Sequence, residues 1–450
     1  MDRRAFLYGT IASIGTALIP APSRAEGDGA LGLRGALGPG DPGIAVASEA
    51  DQSTRLQKAA DKAVAEGRPL FLPPGRFAVS NLLLPAGLTL IGVPGQTRLV
   101  YTGGGRLASA CGGRGLSIDG VIFDGANRGL GDDTTGLIDF SEIDDLSFSR
   151  CEVIGSASHG LTLSRVSGRL WQSRVTGARA VGIVATEGRG LDIADNLIAD
   201  CGSGGVLVQR WTAASDGTAL SRNRIERIKA LAGVTGGHGH GIEVFQARGV
   251  AIEMNRISGC AGAAVAIAAA ADAQVTGNQC LGSGGAAIRA SDAAEGAMIA
   301  NNVIDGATTG LAVTGLAVAA RLAAITGNMV RNIAAGEPAL AGGVGIHVDA
   351  DAAVTGNVVE STAGVGLRLG WGASLRNVVA SANIIRNATT GIGVSVVEGV
   401  GRTVVTANLI SAAPSGGIRG MRYADFVTED LTAADPATFS GLVLEKNQMG

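Results

Sequence analysis

The sequence predicts an all-β fold, a single-stranded right-handed parallel β-helix (solenoid) with an N-terminal capping α-helix. A motif close to Val-Thr-Gly-Asn-x-Ile recurs along the chain, and its aligned asparagines lie 23 to 39 residues apart. Usually eight or nine residues after each asparagine comes a small residue followed by an aliphatic one. Repeats of this length are typical of parallel β-helices, in which one repeat of three short strands forms one turn, or rung. Abundant glycine (71 of 450 residues) and few aromatics (3%) agree with a thin, repetitive core.

The aligned asparagines are predicted to form an internal ladder, in which each side-chain amide bonds to the rungs above and below. This gives them a structural role rather than a catalytic one. They are Asn196, Asn223, Asn255, Asn278, Asn302, Asn328, Asn357, Asn383, Asn408 and Asn447, and Cys151 and Ser173 extend the series backwards.

Composition and charge exclude several classes of protein. The 46% of hydrophobic residues excludes a disordered chain. The net charge of −3 argues against a nucleic-acid partner. The five cysteines form no C-x-x-C pair, so we expect them to be small buried residues at repeat positions rather than zinc ligands.

Residues 1–25 are predicted to be a twin-arginine (Tat) signal peptide. Arg3 and Arg4 precede an uncharged stretch, Gly9–Ile19, which is shorter than the roughly 20 residues of a membrane-spanning helix. A triplet with small residues at both ends predicts cleavage after Ala25, and an uncleaved membrane anchor is the disfavoured alternative. We therefore expect the Tat translocase as a partner, a periplasmic or secreted mature chain, and no membrane span in it.

The rest of the chain divides into a linker, a cap and the repeats. Residues 26–50 are rich in glycine and proline and are predicted to be a linker. Residues 51–110 are predicted to hold the N-terminal cap and first rungs, beginning with a helix over 53–66 whose apolar residues share one face. Repeats fill 111–450, and the segment 419–450 departs from them and is predicted to cap the end. In the cap, short strands are expected at 69–72, 76–80, 82–85, 88–92 and 98–101, separated by glycine and proline.

The N-terminal cap resembles that of the pectate-lyase-like right-handed β-helix superfamily. The resemblance lies in Leu-Gln-Lys-Ala-Ala at 56–60, Phe-Leu-Pro-Pro-Gly-Arg-Phe at 71–77 and Leu-Thr-Leu-Ile-Gly at 88–92. With its twin-arginine start, the whole chain resembles an α-proteobacterial family of Tat-translocated repetitive proteins. This resemblance implies the fold and export. Relatives in the wider superfamily often act on acidic polysaccharides, but a fold alone does not assign a function.

Signatures of common catalytic sites are absent from the sequence, which has no G-x-S-x-G, no Walker lysine loop and no H-E-x-x-H. Residues 227–229 (Arg-Ile-Lys) and 237–241 (Gly-His-Gly-His-Gly) are similar to polygalacturonase motifs. Their order is reversed here, and the preceding rungs lack the paired aspartates that an inverting hydrolase needs. Chance similarity is favoured, with 230–241 as a flexible loop.

One repeat position is predicted to form an outward-facing column, two residues after the small residue. Charged residues there alternate with small ones about two rungs apart, and arginines of this kind bind the carboxylates of acidic sugars. Trp211 and Trp371, expected in loops just after this strand, are placed to stack on sugar rings. The alternative is a solvated sheet face. The charged residues of the column are Glu243, Arg289, His347, Arg368 and Arg419.

An acidic stretch in the first rungs offers a second candidate site. Asp124, Asp132 and Asp133, with Asn127, lie in one predicted loop and are candidate ligands for Ca²⁺. Lyases with this fold use calcium to acidify a substrate proton. A solvated loop without an ion is the favoured alternative.

Two functional classes stay open at this point. The first is an exported protein that binds polysaccharide or acts as a periplasmic or surface scaffold. The second is an enzyme, a polysaccharide lyase or glycoside hydrolase that acts on an acidic glycan. The sequence does not decide whether the inserted loops 229–240 and 334–344 form part of a site.

Overall fold

The protein is an all-β solenoid in the computed structural model. The structure describes residues 33–38, 50–233, 238–292, 294–315, 322–336, 343–432 and 439–450. The predicted signal peptide and most of the predicted linker, with Arg3, Arg4 and the cleavage position after Ala25, lie outside the described residues. Among the helices in the described ranges, none has the length and apolar character needed to cross a membrane.

Each rung contributes a strand to three parallel stacks that enclose one hydrophobic core. The first stack is a sheet of 15 strands in the described part of the chain. Its strands are Leu70–Phe71, Thr89–Ile91, Arg114–Asp119, Asp144–Ser149, Gly168–Trp171, Leu191–Ala194, Ala219–Ser221, Ala251–Glu253, Gln274–Thr276, Met298–Ala300, Ala323–Thr326, Ala350–Thr355, Arg376–Ser381, Thr403–Thr406 and Leu442–Glu445.

The second and third stacks are joined, because Val358–Leu369 and Ile384–Ser395 each run through both. The second stack otherwise contains Gly75–Val79, Thr97–Tyr101, Val121–Asp124, Glu152–Ile154, Arg174–Thr176, Leu197–Ala199, Arg224–Glu226, Arg256–Cys260, Gln279–Ser283, Val303–Ala307, Met329–Ile333, Leu409–Ser411 and Gln448–Met449. The third contains Leu82–Leu83, Ala108–Cys111, Gly136–Ser141, His159–Ser164, Val181–Thr186, Gly204–Ser215, His240–Arg248, Val265–Ala268, Ala286–Ser291, Thr309–Val313, Val344–Val348 and Ile418–Arg422. Asp425–Asp430 pairs antiparallel with the last of these.

The predicted N-terminal helix is confirmed as α1, Ser53–Ala65. The Asp51 carboxylate accepts a hydrogen bond from the Ser53 N–H at 2.7 Å. The buried face of α1 packs over the first leucines of the solenoid, and the Gln57 amide bonds both backbone groups of Leu83. That pairing occupies an edge that would otherwise be open to another strand. The residues of this buried face are Leu56, Ala59, Ala60 and Ala63.

The short strands of the cap agree with the prediction to within one or two residues. Residues 33–38, within the predicted linker, pack against the cap. Leu37 is buried and pairs with Leu70, so residues 33–38 form part of the cap rather than a free linker.

The predicted asparagine ladder is present from Asn196 to Asn447. Asn328, for example, donates from Nδ2 to the Asn357 Oδ1 at 2.9 Å, and its own Oδ1 accepts from the Asn302 backbone N–H at 3.0 Å. The residue before each ladder asparagine has a positive φ, which explains the recurring glycine of the motif, as at Gly277 and Gly327. At the start of the ladder, the Ser173 backbone N–H donates a hydrogen bond to the Asn196 Oδ1 at 2.9 Å.

Four of the five cysteines are buried in the core, as the repeat pattern predicts, and Cys111 is exposed. Burial raises the pKa of Cys151, Cys201, Cys260 and Cys280 to about 12. These thiols therefore stay protonated at neutral pH and pack as small apolar groups.

Candidate functional site

The third stack aligns the predicted outward-facing residues in a single register. We call them the outer column. His347 and Arg368 lie on adjacent rungs, as the order of the column in the sequence indicates, so charged and small residues do not alternate at this point. The successive residues of the column are Glu243, Ala266, Arg289, Ala312, His347, Arg368, Gly393 and Arg419.

Many arginines on other surfaces of the solenoid pair with carboxylates on neighbouring rungs. Even the largely buried Arg210 has a partner, with its Nη2 at 2.5 Å from the Glu187 Oε2. In the described part of the chain, Arg289 and Arg368 have no such partner, and each has a buried Nε–H without an acceptor. The paired arginines include Arg150–Asp119, Arg222–Asp195, Arg227–Asp200, Arg331–Asp305 and Arg386–Glu360.

Arg368 lies at the centre of a group of polar and aromatic side chains. It is only 3% exposed, and its Cζ lies 5.2 Å from the centre of the Trp371 ring. On the preceding rung, the His347 Nε2 lies 3.2 Å from the Asp349 Oδ1, although the two are not aligned as a hydrogen bond. Burial lowers the pKa of Arg368, and the negative charge of Asp349 opposes this shift. We call His347, Asp349, Arg368 and Trp371 the Arg368 cluster.

A second group of polar side chains surrounds Glu243. His238, His240 and Glu243 each place one nitrogen or oxygen within 4.8 Å of the others. Burial lowers the pKa of His240 to about 4, and the charges of Arg289 and His238 add to this effect. Burial raises the pKa of Glu243, while His238 and Arg289 pull it down. We call His238, His240, Glu243 and Arg289 the Glu243 cluster.

His238, His240 and Glu243 are residue types that bind metal ions, but the protonation of His240 disfavours this role. The His240 Nδ1 accepts a hydrogen bond from the Ala263 N–H at 2.9 Å, so the Nε2 of the neutral ring carries the proton. That Nε2 is buried and has no acceptor. To bind a metal through Nε2, the ring would have to move this proton to Nδ1, which breaks the hydrogen bond from Ala263, or lose it and become an imidazolate. His240 therefore offers a hydrogen-bond donor rather than a metal ligand.

The calcium candidates do not converge in the structure. Asp124 pairs with Arg98 at 2.8 Å and accepts a hydrogen bond from the Ala126 N–H. Asp132 and Asp133 are exposed, and neither joins Asp124 in a group of metal-ligating side chains within the described residues. Calcium binding in this loop stays a prediction.

The two tryptophans have different surroundings. Trp211 is 71% exposed and lies within the strand Gly204–Ser215, where the pairing is irregular, rather than in a loop after it. Phe245, on the next rung and two residues after Glu243, is also exposed. Trp371 is half-buried and packs edge-on against Tyr423, with ring centres 5.9 Å apart.

Arg419 lies under the C-terminal hairpin rather than on an open face. Its Nε donates to the Thr428 carbonyl at 3.0 Å, and its Cζ lies 4.7 Å from the centre of the Phe426 ring. These contacts fix the antiparallel hairpin to the last rung of the third stack. Arg419 therefore has a structural role in addition to its place in the column.

Sequence reasoning missed His238, His240 and Asp349 as site residues. The signal for the first two was the spacing His-x-His-x-x-Glu, which ends at Glu243. The other polygalacturonase-like residues have structural contacts, since Arg227 pairs with Asp200 and Glu226. Of inserted loop 229–240, residues 234–237 lie outside the described part, as do residues 337–342 of loop 334–344.

Fold and site together define the class as a right-handed parallel β-helix protein with a column of charged and small residues on one face, in which Arg289 and Arg368 have no ion-pair partner among the described residues. Residues 211–380 match the family model described as "Right handed beta helix region". No curated protein sequence matches the chain significantly.

Solved structures similar to this chain include two forms of one phage protein and a bacterial enzyme module. Pre-mature bacteriophage phi29 gene product 12 has a TM-score of 0.53 and 11% identity, over 88% of this chain and 58% of that one. Its N-terminal fragment has a TM-score of 0.51 and 14% identity, over 88% and 73%. The A-module of mannuronan C-5 epimerase AlgE6 from Azotobacter vinelandii has a TM-score of 0.46 and 14% identity, over 92% and 99%. At these identities the likeness shows the fold alone.

Proposed function

We propose that this protein binds an acidic polysaccharide along the outer column, with Arg368 as the principal contact. The observation that carries the proposal is the burial of Arg368 without a carboxylate partner in the described part of the chain. Buried charges in proteins are normally paired, because removing them from water costs several kcal/mol per ion. A carboxylate of a ligand supplies the missing partner.

The surroundings of Arg368 favour a sugar acid over a small anion. Trp371 places an aromatic ring against the guanidinium group, and aromatic rings stack on the apolar faces of sugars. The column also repeats at the rung spacing of ~4.8 Å and continues over several rungs. A straight row of this kind suits an extended chain better than a compact ligand.

We further propose that the chain is an exported member of the α-proteobacterial Tat-translocated family. Arg3, Arg4 and the cleavage position after Ala25 support this. A periplasmic or secreted location brings the column into contact with extracellular glycans. The Tat translocase is then the export partner.

The test is binding of the mature protein to polygalacturonate, alginate and hyaluronan, with dextran as the neutral control, with and without Ca²⁺. We expect binding to the acidic polymers only, and a loss of about tenfold or more in Arg368→Ala, because a charge-assisted contact is removed. Arg386→Ala, an exposed arginine paired with Glu360, should bind as the wild type does. No binding to any of the polymers would overturn the proposal and favour a scaffold.

A second candidate function, a polysaccharide lyase, is favoured by the contact between His347 and Asp349 beside Arg368. Histidine is the most common general base, and a carboxylate close to the ring favours its protonated form. A glycoside hydrolase is less well supported, since each cluster contains one carboxylate and hydrolases of this kind need two. A lyase would release unsaturated uronides, detected by ultraviolet absorbance, and His347→Ala should abolish the absorbance while binding remains.

A further inference from the structure

The Glu243 cluster shares its composition with the Arg368 cluster but differs in its protonation chemistry. Each cluster contains histidine, one carboxyl side chain and an arginine without a partner in the described residues. Arg289 and Arg368 are separated by two intervening rungs, at Ala312 and His347. At ~4.8 Å per rung, the two arginines are ~14 Å apart, so one extended chain can reach both.

Two hydrogen-bond donors in the Glu243 cluster have no acceptor in the described part of the chain. The His240 Nδ1 accepts from the Ala263 N–H, so the proton of the neutral ring is on Nε2, which is buried and has no acceptor among the described residues. The Arg289 Nε–H is also buried without an acceptor. Both donors belong to side chains beside Glu243. A buried donor without an acceptor destabilises the protein, and a bound anion that accepts the hydrogen bond would remove this cost.

Glu243 is itself short of partners for a carboxylate. Its side chain is 19% exposed, and the His238 Nδ1 lies 4.0 Å away, at the limit of an ion pair. The residues opposite it on the neighbouring rungs, Leu207 and Ala266, are apolar. Among the described residues, the charged and titratable groups that face Glu243 are therefore His238, His240 and Arg289.

An anion bound at Arg289 would repel an ionised Glu243 nearby. Like charges in one site favour protonation of one of them, as in paired carboxylates that share a proton. A protonated Glu243 then donates an O–H to the anion instead of repelling it. Burial already favours this neutral form, because it raises the pKa of Glu243.

We propose that Glu243, His240 and Arg289 form a second binding subsite, which takes a carboxylate of the acidic polysaccharide together with one proton. The proton comes from solvent and is held on Glu243, between the side chain and the sugar carboxylate. This inference rests on the proposed function, because the same ligand chain occupies both clusters. It adds a coupling between binding and pH that the Arg368 cluster alone does not supply.

The test is calorimetry with polygalacturonate and alginate in buffers of different ionisation enthalpy, which counts the protons taken up. We expect the wild type to take up as much as one proton per occupied site and to bind more tightly at pH 6 than at pH 8. Glu243→Gln keeps a donor but cannot titrate, so it should bind without proton uptake and with little dependence on pH. Glu360→Gln, an exposed carboxyl paired with Arg386, is the matched control and should behave as the wild type does.

Arg289→Ala should weaken binding about tenfold and abolish proton uptake, because the anion is no longer held beside Glu243. Thermal unfolding of each variant shows whether it is folded. Binding that depends on Arg368 but proceeds without proton uptake, or uptake that persists in Glu243→Gln, would overturn this inference alone. Absence of binding in the wild type would overturn the proposed function as well.

Discussion

Arg368 differs from the other arginines of the solenoid in what surrounds its charge rather than in its position. Surface arginines such as Arg222 lie one rung from a carboxylate and remain in contact with water. Arg368 is buried, and within the described residues it has no carboxylate at ion-pair distance, although the charge of Asp349 acts on it from further away. A side chain that is unfavourable in the free protein and favourable in a complex is typical of a binding site, where stability is sacrificed for function.

Replacing Arg368 by methionine is therefore expected to stabilise the unliganded protein. The thioether fills a similar volume without a charge to desolvate, so the free energy of unfolding should rise by about 1 kcal/mol. Chemical denaturation of the two proteins measures the difference. Arg386→Met, at an exposed and paired site, should change stability by less than about 0.5 kcal/mol. A lower stability in Arg368→Met would show that the arginine is satisfied in the free protein.

His240 makes stability depend on pH. Its pKa of about 4 in the fold lies below the value of about 6.5 in an unfolded chain. The neutral form is thus favoured by folding, and this contribution is complete above pH 6.5 and is lost as the pH falls towards 4. The loss is on the order of 3 kcal/mol, since one pKa unit corresponds to about 1.4 kcal/mol.

His240→Gln should accordingly show a smaller fall in stability between pH 7 and pH 4.5 than the wild type. The measurement is the denaturation midpoint of both proteins at each pH, so that effects common to both cancel. Equal falls in the two proteins would mean that His240 titrates as an exposed histidine does.

For individual residues, the sequence predicted which side chains share a column better than it predicted how buried or how paired each of them is. The spacing after each small residue identified Glu243, Arg289, His347, Arg368 and Arg419 as one column, because the side-chain period of a strand is fixed. It did not predict the burial of Arg368, which depends on Trp371 and on the neighbouring rung. The motif that contains His238 and His240 was also interpreted as a chance similarity. An inserted loop interrupts the repeat, so the strand register of residues within it cannot be counted from the sequence.

At the scale of elements, the asparagine ladder connects the first and second stacks along most of the solenoid. Each asparagine side chain bonds backbone groups of the preceding rung and the amide of the next asparagine, as Asn328 does with Ile299, Asn302 and Asn357. The ladder could be predicted from the sequence because it needs the same residue type in the same conformation at every rung. Helix α1 was predictable for a similar reason, since its apolar residues repeat with the helical period.

Asn328→Ala should reduce the free energy of unfolding by about 3 kcal/mol, because it leaves several buried backbone and amide groups without partners. Asn447→Ala is the control, since Asn447 is the last member of the ladder and is only partly buried. We expect a loss of about 1 kcal/mol there. Urea denaturation measures both, and equal losses would contradict a ladder that is tightest in its middle.

For the whole molecule, the repeat was enough to predict the fold class. The candidate site, in contrast, depends on which side chains from different rungs lie close together in the structure. Residues such as Asp349 and Arg368 meet because the chain returns to the same face once per rung. No local motif records that meeting. The C-terminal hairpin at Ile418–Arg422 and Asp425–Asp430 likewise departs from the repeat and had no pattern to predict its pairing.

Export is a property of the whole chain and is tested on it. Replacing Arg3 and Arg4 together by lysine should retain the protein in the cytoplasm with residues 1–25 attached, because the translocase reads the arginine pair. Cell fractionation and mass measurement of the N-terminus give the result. Arg34→Lys, outside the signal, should be exported normally. A doubly substituted chain that still appears outside the cytoplasm, cut after Ala25, would contradict export through this pathway.

The regularity of the ladder has an evolutionary consequence. Successive asparagines are separated by 23 to 39 residues, yet the bonds from each Nδ2 to the next Oδ1 stay between 2.9 and 3.0 Å. Insertions between two asparagines therefore leave the pitch of the solenoid unchanged. Descendants of one ancestor can acquire new loops beside the outer column, and with them new ligands, while they inherit the same scaffold.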